Sequence, residues 1–325
     1  MNYIETAKQY TGNDVESIFF RPILTGPGAQ ELGVRILYNM PVPTIVQLWD
    51  NTSLSLKKFT NNGWTGGQPA AKYQKKIPME RVKAEMGFSA ADYFSLVYEL
   101  ISARADVNMQ DLTGTTLEQA ETELFKQNIA ENLRVMMWLG DTSLTSGYNT
   151  FNGFLTSLKS AVVDDVINYT SYTAAEVEAE GGVVELFDEM LKAASPRMMA
   201  ARSEGQLAFF CSSDIYFLYE KYLDKLGVES SFRTTVEGQP QLAYHGIPII
   251  DPKLGNYLPQ TANHQSFCLL TDRRNLVMAV NTADMPGNEV RMWYNPDEME
   301  NRQRAVFMAG CEILDEDMLV YAYRS

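Results

Sequence analysis

One long stretch of the chain, residues 34–86, alternates apolar and polar side chains as a β-hairpin does. The outgoing run includes "TIVQLW" and "SLSLKKF". After the tip "NNGWTGGQPA", one continuous return strand is predicted, with Val82, Ala84 and Met86 on one face. A two-stranded ribbon has too little core to be stable alone in water. The rest of the chain, or a second subunit, must therefore provide the surface on which this hairpin lies.

Basic side chains distinguish this hairpin within a chain whose formal net charge is -14. A ribbon that carries positive side chains is suited to docking on an acidic neighbour. We therefore predict that the hairpin makes contacts between subunits. The predicted contact residues are Trp49, Lys57, Lys58, Trp64, Lys72, Lys75 and Lys76.

The strongest helical pattern covers residues 115–139. Thr115 and Glu118 fit a capping box at its start, apolar residues recur every three or four positions, and Gly140 follows its end. At 1.5 Å per residue the predicted helix is a rod of roughly 35 Å. A weaker helix is predicted to begin at Ser89, with Asp92 as its capping partner.

Residues 150–285 alternate helical and strand patterns, which predicts an α/β domain. One amphipathic helix is interrupted near Pro196, a buried strand is expected at "QLAFFC", and a second helix ends at Gly227. Strands follow at "AYHGIPIIDP" and "SFCLLTDRRNLVMAV". The last segment, "RAVFMAGCEILDEDMLVYAYRS", predicts a closing hairpin around residues 315–317.

Composition excludes several classes of protein. No apolar run approaches the roughly 18 residues that span a bilayer, and the first residues lack a secretory signal, so we expect cytoplasmic synthesis. The net charge of -14 argues against a surface that grips nucleic-acid phosphates. Cys211, Cys268 and Cys311 each lie in an apolar, strand-like context, so we predict three free, buried thiols.

Motifs for catalysis or cofactor binding are absent from the sequence: it has no P-loop, nucleophile elbow, Cys-x-x-Cys or His-Glu-x-x-His pattern. His245 and His264 with Asp251 are one candidate metal site, although an ordinary strand-end histidine and loop histidine are favoured. Cys211 before a helix is a candidate nucleophile, with a buried apolar role favoured. An acidic α/β enzyme with a site at Asp251, His245 and Arg273 remains an alternative, and no cofactor is predicted.

The order of these zones resembles that of the major capsid proteins of tailed double-stranded DNA phages, which have the Hong Kong 97-type fold. The segment "GIPII", the strands with a charged turn in "SFCLLTDRRNLVMAV", and the ending "AVFMAGCEILDEDMLVYAY" carry the resemblance. It implies an α+β chain with an extended E-loop hairpin, a P-domain with a long spine helix, and an α/β A-domain. The implied zones are an N-terminal arm at 1–33, the E-loop hairpin and a P-domain strand at 34–86, the P-domain with the spine helix at 87–149, the A-domain at 150–285 and a return to the P-domain at 286–325.

The resemblance also implies a function. A structural protein of this kind, with no catalytic role, assembles as hexamers and pentamers into an icosahedral shell around double-stranded DNA. Assembly takes place in the host bacterial cytoplasm, each E-loop lies on an adjacent subunit, and the acidic wall encloses DNA without binding it specifically. Because the arm begins at Met1, we expect a separate scaffolding protein, together with a portal and possible decoration proteins. An encapsulin-like protein nanocompartment has the same fold and is the first alternative.

Overall fold

The computed structural model describes residues 8–11, 33–39, 44–50, 71–89, 116–227, 232–234, 240–255, 257, 266–281, 289–298 and 300–324. These residues form a six-stranded sheet, a seven-stranded sheet, a separate two-stranded hairpin and six α-helices. The strands are β1 Lys8–Thr11, β2 Arg35–Tyr38, β3 Thr44–Asp50, β4 Ala71–Ile77, β5 Glu80–Ser89, β6 Asn168–Tyr172, β7 Leu207–Cys211, β8 Phe232–Thr234, β9 Pro240–Tyr244, β10 Ile247–Ile250, β11 Phe267–Asp272, β12 Leu276–Asn281, β13 Glu289–Asn295, β14 Glu300–Ile313 and β15 Leu319–Arg324. The helices are α1 Thr116–Leu139, α2 Phe154–Val163, α3 Ala174–Glu178, α4 Gly182–Ala193, α5 Pro196–Ser203 and α6 Ser213–Leu226.

The six-stranded sheet is organised around β14, a strand of 14 residues that has partner strands on both edges. One edge pairs antiparallel with β5 from Glu300 to Ala309. The other edge pairs with β13 over its first half and with β12 over its second half. Strand β2 then adds parallel to β12, and β1 adds antiparallel to β13. A strand as long as β14 can therefore join segments that lie far apart in the sequence.

The seven-stranded sheet has the order β6-β15-β11-β7-β10-β9-β8 and mixes parallel and antiparallel pairs. Its central strands are buried on both faces, which explains their continuous apolar sequences. In β7, Leu207, Phe209 and Cys211 pack towards the layer formed by α4, α5 and α6. Ala208 and Phe210 point to the opposite face, where the main core lies.

Helix α1 packs in a core that both large sheets share. Phe125, Ile129 and Leu133 of α1 belong to one cluster with residues of β12, β14, β7 and β11. The fully buried Trp138 has its ring centroid 5.6 Å from that of Phe210 on β7. Aromatic contacts at this spacing add to the free energy gained from area burial. The two sheets are thus parts of one hydrophobic core.

Three connections pass from one large sheet to the other. The first, from β5 to β6, contains α1 and α2, and the two short ones, which we call the crossings, run from β11 to β12 and from β14 to β15. The buried Asn275 joins the two crossings. Its side-chain amide donates hydrogen bonds to Thr271 Oγ1 at 3.1 Å and to the Asp315 carbonyl at 2.8 Å, and its Oδ1 accepts one from the Asp315 amide at 2.8 Å. Its own carbonyl accepts from the Leu314 amide at 3.0 Å. One side chain therefore fixes both of the short crossings.

The prediction of a closing hairpin at the end of the chain was wrong. Strand β15 does not pair with β14: β12 and β13 occupy one edge of β14, and β5 occupies the other edge as far as Ala309. Instead β15 inserts between β6 and β11 of the other sheet. At the two short crossings, sheet membership therefore changes at residues 273–275 and 314–318.

The hairpin prediction also needs one correction. The predicted single return strand is two strands, β4 and β5, separated by Pro78 and Met79, and β5 belongs to the six-stranded sheet. Proline has no amide hydrogen for a strand ladder, so pairing stops there. Gly310 of β14 lies so close that a Cβ atom at this position would approach the Pro78 carbonyl oxygen to 1.9 Å. Glycine at 310 is therefore required for the chain to pass from the hairpin into the sheet.

Most of the remaining elements follow the predictions. Helix α1 begins one residue after the predicted start and ends at Leu139, Pro196 opens α5, and Gly227 ends α6 with a φ of 65°. All three cysteines are free and buried, as predicted. Thr115, the Glu118 side chain and the predicted helix after Ser89 lie outside the described residues, and Ser89 itself ends β5.

We predict that Asn275→Asp destabilises the subunit by about 3 kcal/mol at neutral pH, because a buried carboxylate then faces carbonyl oxygens that had amide donors. Protonation restores one donor, so the deficit in unfolding free energy relative to the parent chain shrinks as the pH falls. Urea unfolding of unassembled subunits at several pH values measures this. Asn132→Asp, on the exposed face of α1, is the matched control and changes stability by less than about 0.5 kcal/mol. Equal effects of the two substitutions would contradict the role assigned to Asn275.

Candidate inter-subunit contact surface

The two-stranded hairpin of β3 and β4 has one face on the body of the protein and one face in solvent. Its register pairs Thr44 with Ile77 and Ile45 with Lys76, and side chains alternate between the faces along each strand. Thr44 and Ile77 are fully buried. Ile77 packs with Val277 and Ala279 of β12 on one face of the six-stranded sheet. The hairpin is therefore anchored at its root and is not an independent ribbon.

Lys75 adds an electrostatic anchor on the same face. Its Nζ lies 2.8 Å from Glu316 Oε1 and 3.9 Å from Glu312 Oε1. Burial raises the pKa of the Glu312 carboxyl, and the Lys75 ammonium opposes that rise. The ion pair thus ties the root of the hairpin to the second crossing between the sheets. The sequence predicts Glu316 only as part of a turn, and the acid-rich run "EILDED" is the one sequence signal for this ion pair.

The outer face of the hairpin combines an apolar side chain with a basic one. Ile45 is 51% exposed, and Gln47, Gln74 and Lys76 on the same face are also exposed. Lys76 has no partner among the described residues. A large exposed isoleucine beside an unpaired lysine is the composition expected of a surface that another molecule covers.

The structure places only some of the predicted contact residues. Trp49 and Lys72 are directly paired positions of β3 and β4, although their side chains lie outside the described residues. Lys75 is engaged within its own subunit, and Lys76 faces solvent. Lys57, Lys58 and Trp64 fall in the segment 51–70, also outside the described residues.

The residues of the enzyme alternative are not brought together. His245 and Gly246, both with positive φ, form the two-residue turn between β9 and β10. Asp251 follows the other end of β10, ~20 Å away along the extended strand, and bonds the amide of Lys253 at 2.7 Å. Arg273 lies in the turn after β11, where its amide bonds the Gln206 carbonyl at 3.0 Å. His245 therefore serves the turn, and this grouping does not form a site.

The other candidate sites also have a structural explanation. Cys211 is completely buried beside Cys268, with its Sγ 3.0 Å from the neighbouring Sγ, and burial raises the pKa of its thiol well above the ordinary range. Such a thiol is a poor nucleophile.

Across the ranges that the structure describes, no group of His, Cys, Asp and Glu side chains is arranged to hold a metal ion. His264 is not among those residues. No helix of the described chain is long and apolar enough to cross a membrane.

We predict that Lys75→Met lowers the unfolding free energy of the isolated subunit by about 1–2 kcal/mol at neutral pH, because the half-buried Glu312 loses its counter-charge. The pKa of Glu312 is higher in the folded state than in the unfolded state, so the free energy of unfolding falls as the pH rises from the unfolded-state pKa through the folded-state pKa. The substitution raises the folded-state pKa further and so increases this loss of stability. The deficit therefore disappears in acid. Urea unfolding between acid and neutral pH measures it.

Lys76→Met on the outer face is the matched control, expected to change stability by less than about 0.5 kcal/mol. In a Glu312→Gln background most of the effect of Lys75→Met should vanish. An undiminished effect in that background would show that the lysine acts by some other contact.

Comparisons with known proteins identify the fold. No protein-family model and no curated protein matches the sequence. Among solved structures, a chain of the satellite phage P4 procapsid, which includes the size determination (Sid) protein, matches with a TM-score of 0.59 and 11% identity over 93% of this chain and 88% of that chain.

Two further structures agree. A chain of Gordonia phage Cozz has a TM-score of 0.52 and 13% identity over 94% of this chain and 86% of that one. A chain of the capsid of the native GTA particle has a TM-score of 0.50 and 14% identity over 92% and 90% of the two chains. At these identities the likeness concerns architecture, and it extends over nearly the whole of both partners in each comparison. This chain has the Hong Kong 97-type fold of phage capsid proteins.

Proposed function

We propose that this chain is a major capsid protein that assembles as hexamers and pentamers into an icosahedral phage shell around double-stranded DNA. The observation that carries the proposal is the extent of the structural likeness, which covers 93% of this chain and 88% of a chain in a phage procapsid. Both chains are matched over most of their length, so the proposal rests on the whole architecture and not on one shared motif.

The anchored hairpin supports the proposal independently. Burial at Ile77 and the Lys75–Glu316 ion pair fix the root of the hairpin, while Ile45 and Lys76 remain in solvent on the other face. A rigidly held apolar and basic face loses little conformational entropy when a neighbour covers it. We assign that neighbour as a second copy of the chain, and we extend the contact to Trp49, Lys57, Lys58, Trp64 and Lys72 along the hairpin.

The place of assembly and the partners of the chain follow from this assignment. The shell is assembled in the cytoplasm of a bacterial host and becomes the capsid of the virion. A portal and a separate scaffolding protein are the proposed partners, with decoration proteins as possible additions on the finished shell. The contacts between subunits are proposed to suffice for closure at high protein concentration, so the purified chain forms shells without the scaffolding protein. The subunit itself needs no cofactor and no catalytic group, because closure of the shell depends on repeated contacts between identical surfaces.

We predict that the recombinant chain forms closed shells and that Ile45→Glu prevents their formation without unfolding the subunit. The Ile45 side chain is already half-exposed in the single subunit, so a charge there does not disturb the subunit's own core. It disturbs assembly only if another subunit covers this face. Size-exclusion chromatography followed by negative-stain electron microscopy measures assembly, and circular dichroism checks the fold. Gln47→Glu, which adds the same charge at a polar position on the same face, is the matched control and should weaken assembly less. A parent chain that remains monomeric or dimeric at high concentration would contradict the proposed function.

A further inference from the structure

An apolar projection stands out at the end of α2. Val163 is 84% exposed and Val166 is 48% exposed, and the aspartates between them, Asp164 and Asp165, are exposed as well. Neither aspartate has an ion pair with any part of the chain that the structure describes. We call residues 163–166 the valine turn. Two exposed valines in a single turn form an apolar patch on a surface that is otherwise rich in charged side chains, which is a feature of interaction sites.

The valine turn is held in one conformation by its own backbone. The amides of Asp164, Asp165 and Val166 donate to the carbonyls of Ser160, Val162 and Ala161 at 2.9, 3.2 and 3.1 Å. Asp165 has a φ of 55°, where glycine is usual at a helix end. A preformed projection of this kind needs little ordering when it binds a partner.

A shallow hollow of about 60 Å³ lies at the start of α4, where α3 and α6 meet it. We call it the α4 hollow. Its apolar lining includes Leu218 and Tyr222, and its charged lining consists of Lys221 and Lys225 on α6 and Glu178 and Glu180 opposite them. Lys225 lies 3.8 Å from Glu180, an acid that also lines the hollow, whereas Lys221 has no partner in the described ranges. Phe217, 61% exposed, lies one helical turn before Lys221.

The valine turn and the α4 hollow are complementary in size, and Asp164 of the turn is complementary to Lys221 of the hollow. A volume of 60 Å³ holds about four water molecules, which is room for one short branched side chain such as that of valine. Asp164 and Asp165 follow Val163 directly, so they reach the lysine side of the hollow, where Lys221 has no acidic partner among the described residues, when Val163 fills it. Apolar contact at the centre with opposite charges at the rim is the usual anatomy of a specific protein interface.

One subunit cannot satisfy this complementarity by itself. Asn168, two residues after the valine turn, bonds the carbonyl of Ala193 at the end of α4. The hollow lies at the opposite end of that helix, ~18 Å away for 12 residues. Two complementary surfaces at different places on one subunit generate a head-to-tail contact, which closes into a ring or extends into a larger assembly.

We propose that the valine turn of one subunit inserts into the α4 hollow of a second copy of this chain, with Val163 in the hollow and the aspartates at Lys221 and Lys225. The inference rests on the proposed function, in which copies of the chain assemble, and adds to it a contact separate from the hairpin. Each subunit gives its valine turn to one neighbour and receives another at its hollow.

A pair of cysteine substitutions tests the contact directly. Val163→Cys in the valine turn and Ala179→Cys, an exposed residue that lines the hollow, are combined in one chain. Air oxidation with a copper catalyst joins the two thiols, which lose two electrons and two protons to oxygen. We expect a ladder of covalent dimers, trimers and larger oligomers in non-reducing SDS gels. Each single variant should give no ladder, because the three native cysteines are buried.

A charge exchange tests the recognition. Asp164→Lys or Lys221→Glu alone should raise the protein concentration needed for assembly at least about tenfold, because each places like charges together at an interface. Combining the two should restore assembly. Asp164→Lys with Lys83→Glu, which reverses an exposed lysine on β5, has the same net charge and should not restore it.

The outcomes separate this inference from the proposed function. Shells that form while the double cysteine variant stays monomeric in SDS would overturn the contact and leave the capsid assignment standing. A ladder without closed particles would support the contact and contradict the capsid assignment. Rescue by Lys83→Glu as effective as that by Lys221→Glu would show that only net charge matters, which would also overturn the proposed contact.

Discussion

The architecture depends on the hydrogen bonds that Asn275 makes at the two crossings between the sheets. The side-chain amide of Asn275 joins Thr271 on one crossing to Asp315 on the other. Burying this polar group costs little folding free energy only while all of its hydrogen-bond partners are present. With the crossings fixed, β12 and β14 lie in one sheet and β11 and β15 in the other, and α1 fills the core common to both. The subunit can then act as one rigid body.

The surfaces that are available for assembly are attached to the same junction between the sheets. The acids that receive Lys75 lie at and beside the second crossing, so the root of the hairpin is tied to the same junction. Gly310, one residue along β14 from the last pair with β5, allows the chain to leave the hairpin at Pro78. The valine turn is fixed in a similar way by hydrogen bonds at the end of α2. The exposed apolar side chains thus lie on backbone segments that do not need to change conformation when a neighbour covers them.

Local sequence patterns predicted most of the elements but not their partners. The period of α1, the proline that opens α5 and the apolar run of β7 depend on neighbouring residues, so they were accessible from sequence. The separation of β14 from β15 was not, because it depends on which edges of β14 other strands occupy. Likewise Lys75 was identified as basic in a hairpin, but its acids lie about 240 positions away. Long-range pairing, and not local propensity, was the missing information.

The central claim is that an anchored hairpin and a rigid two-sheet body make this chain a shell subunit whose exposed faces are covered by copies of itself. A cryo-electron microscopy reconstruction of particles assembled from the purified chain tests it most directly. We expect icosahedral particles in which the face carrying Ile45 and Lys76 is buried on an adjacent subunit. Particles in which that face stays in solvent, or a chain that forms no particles, would contradict the account.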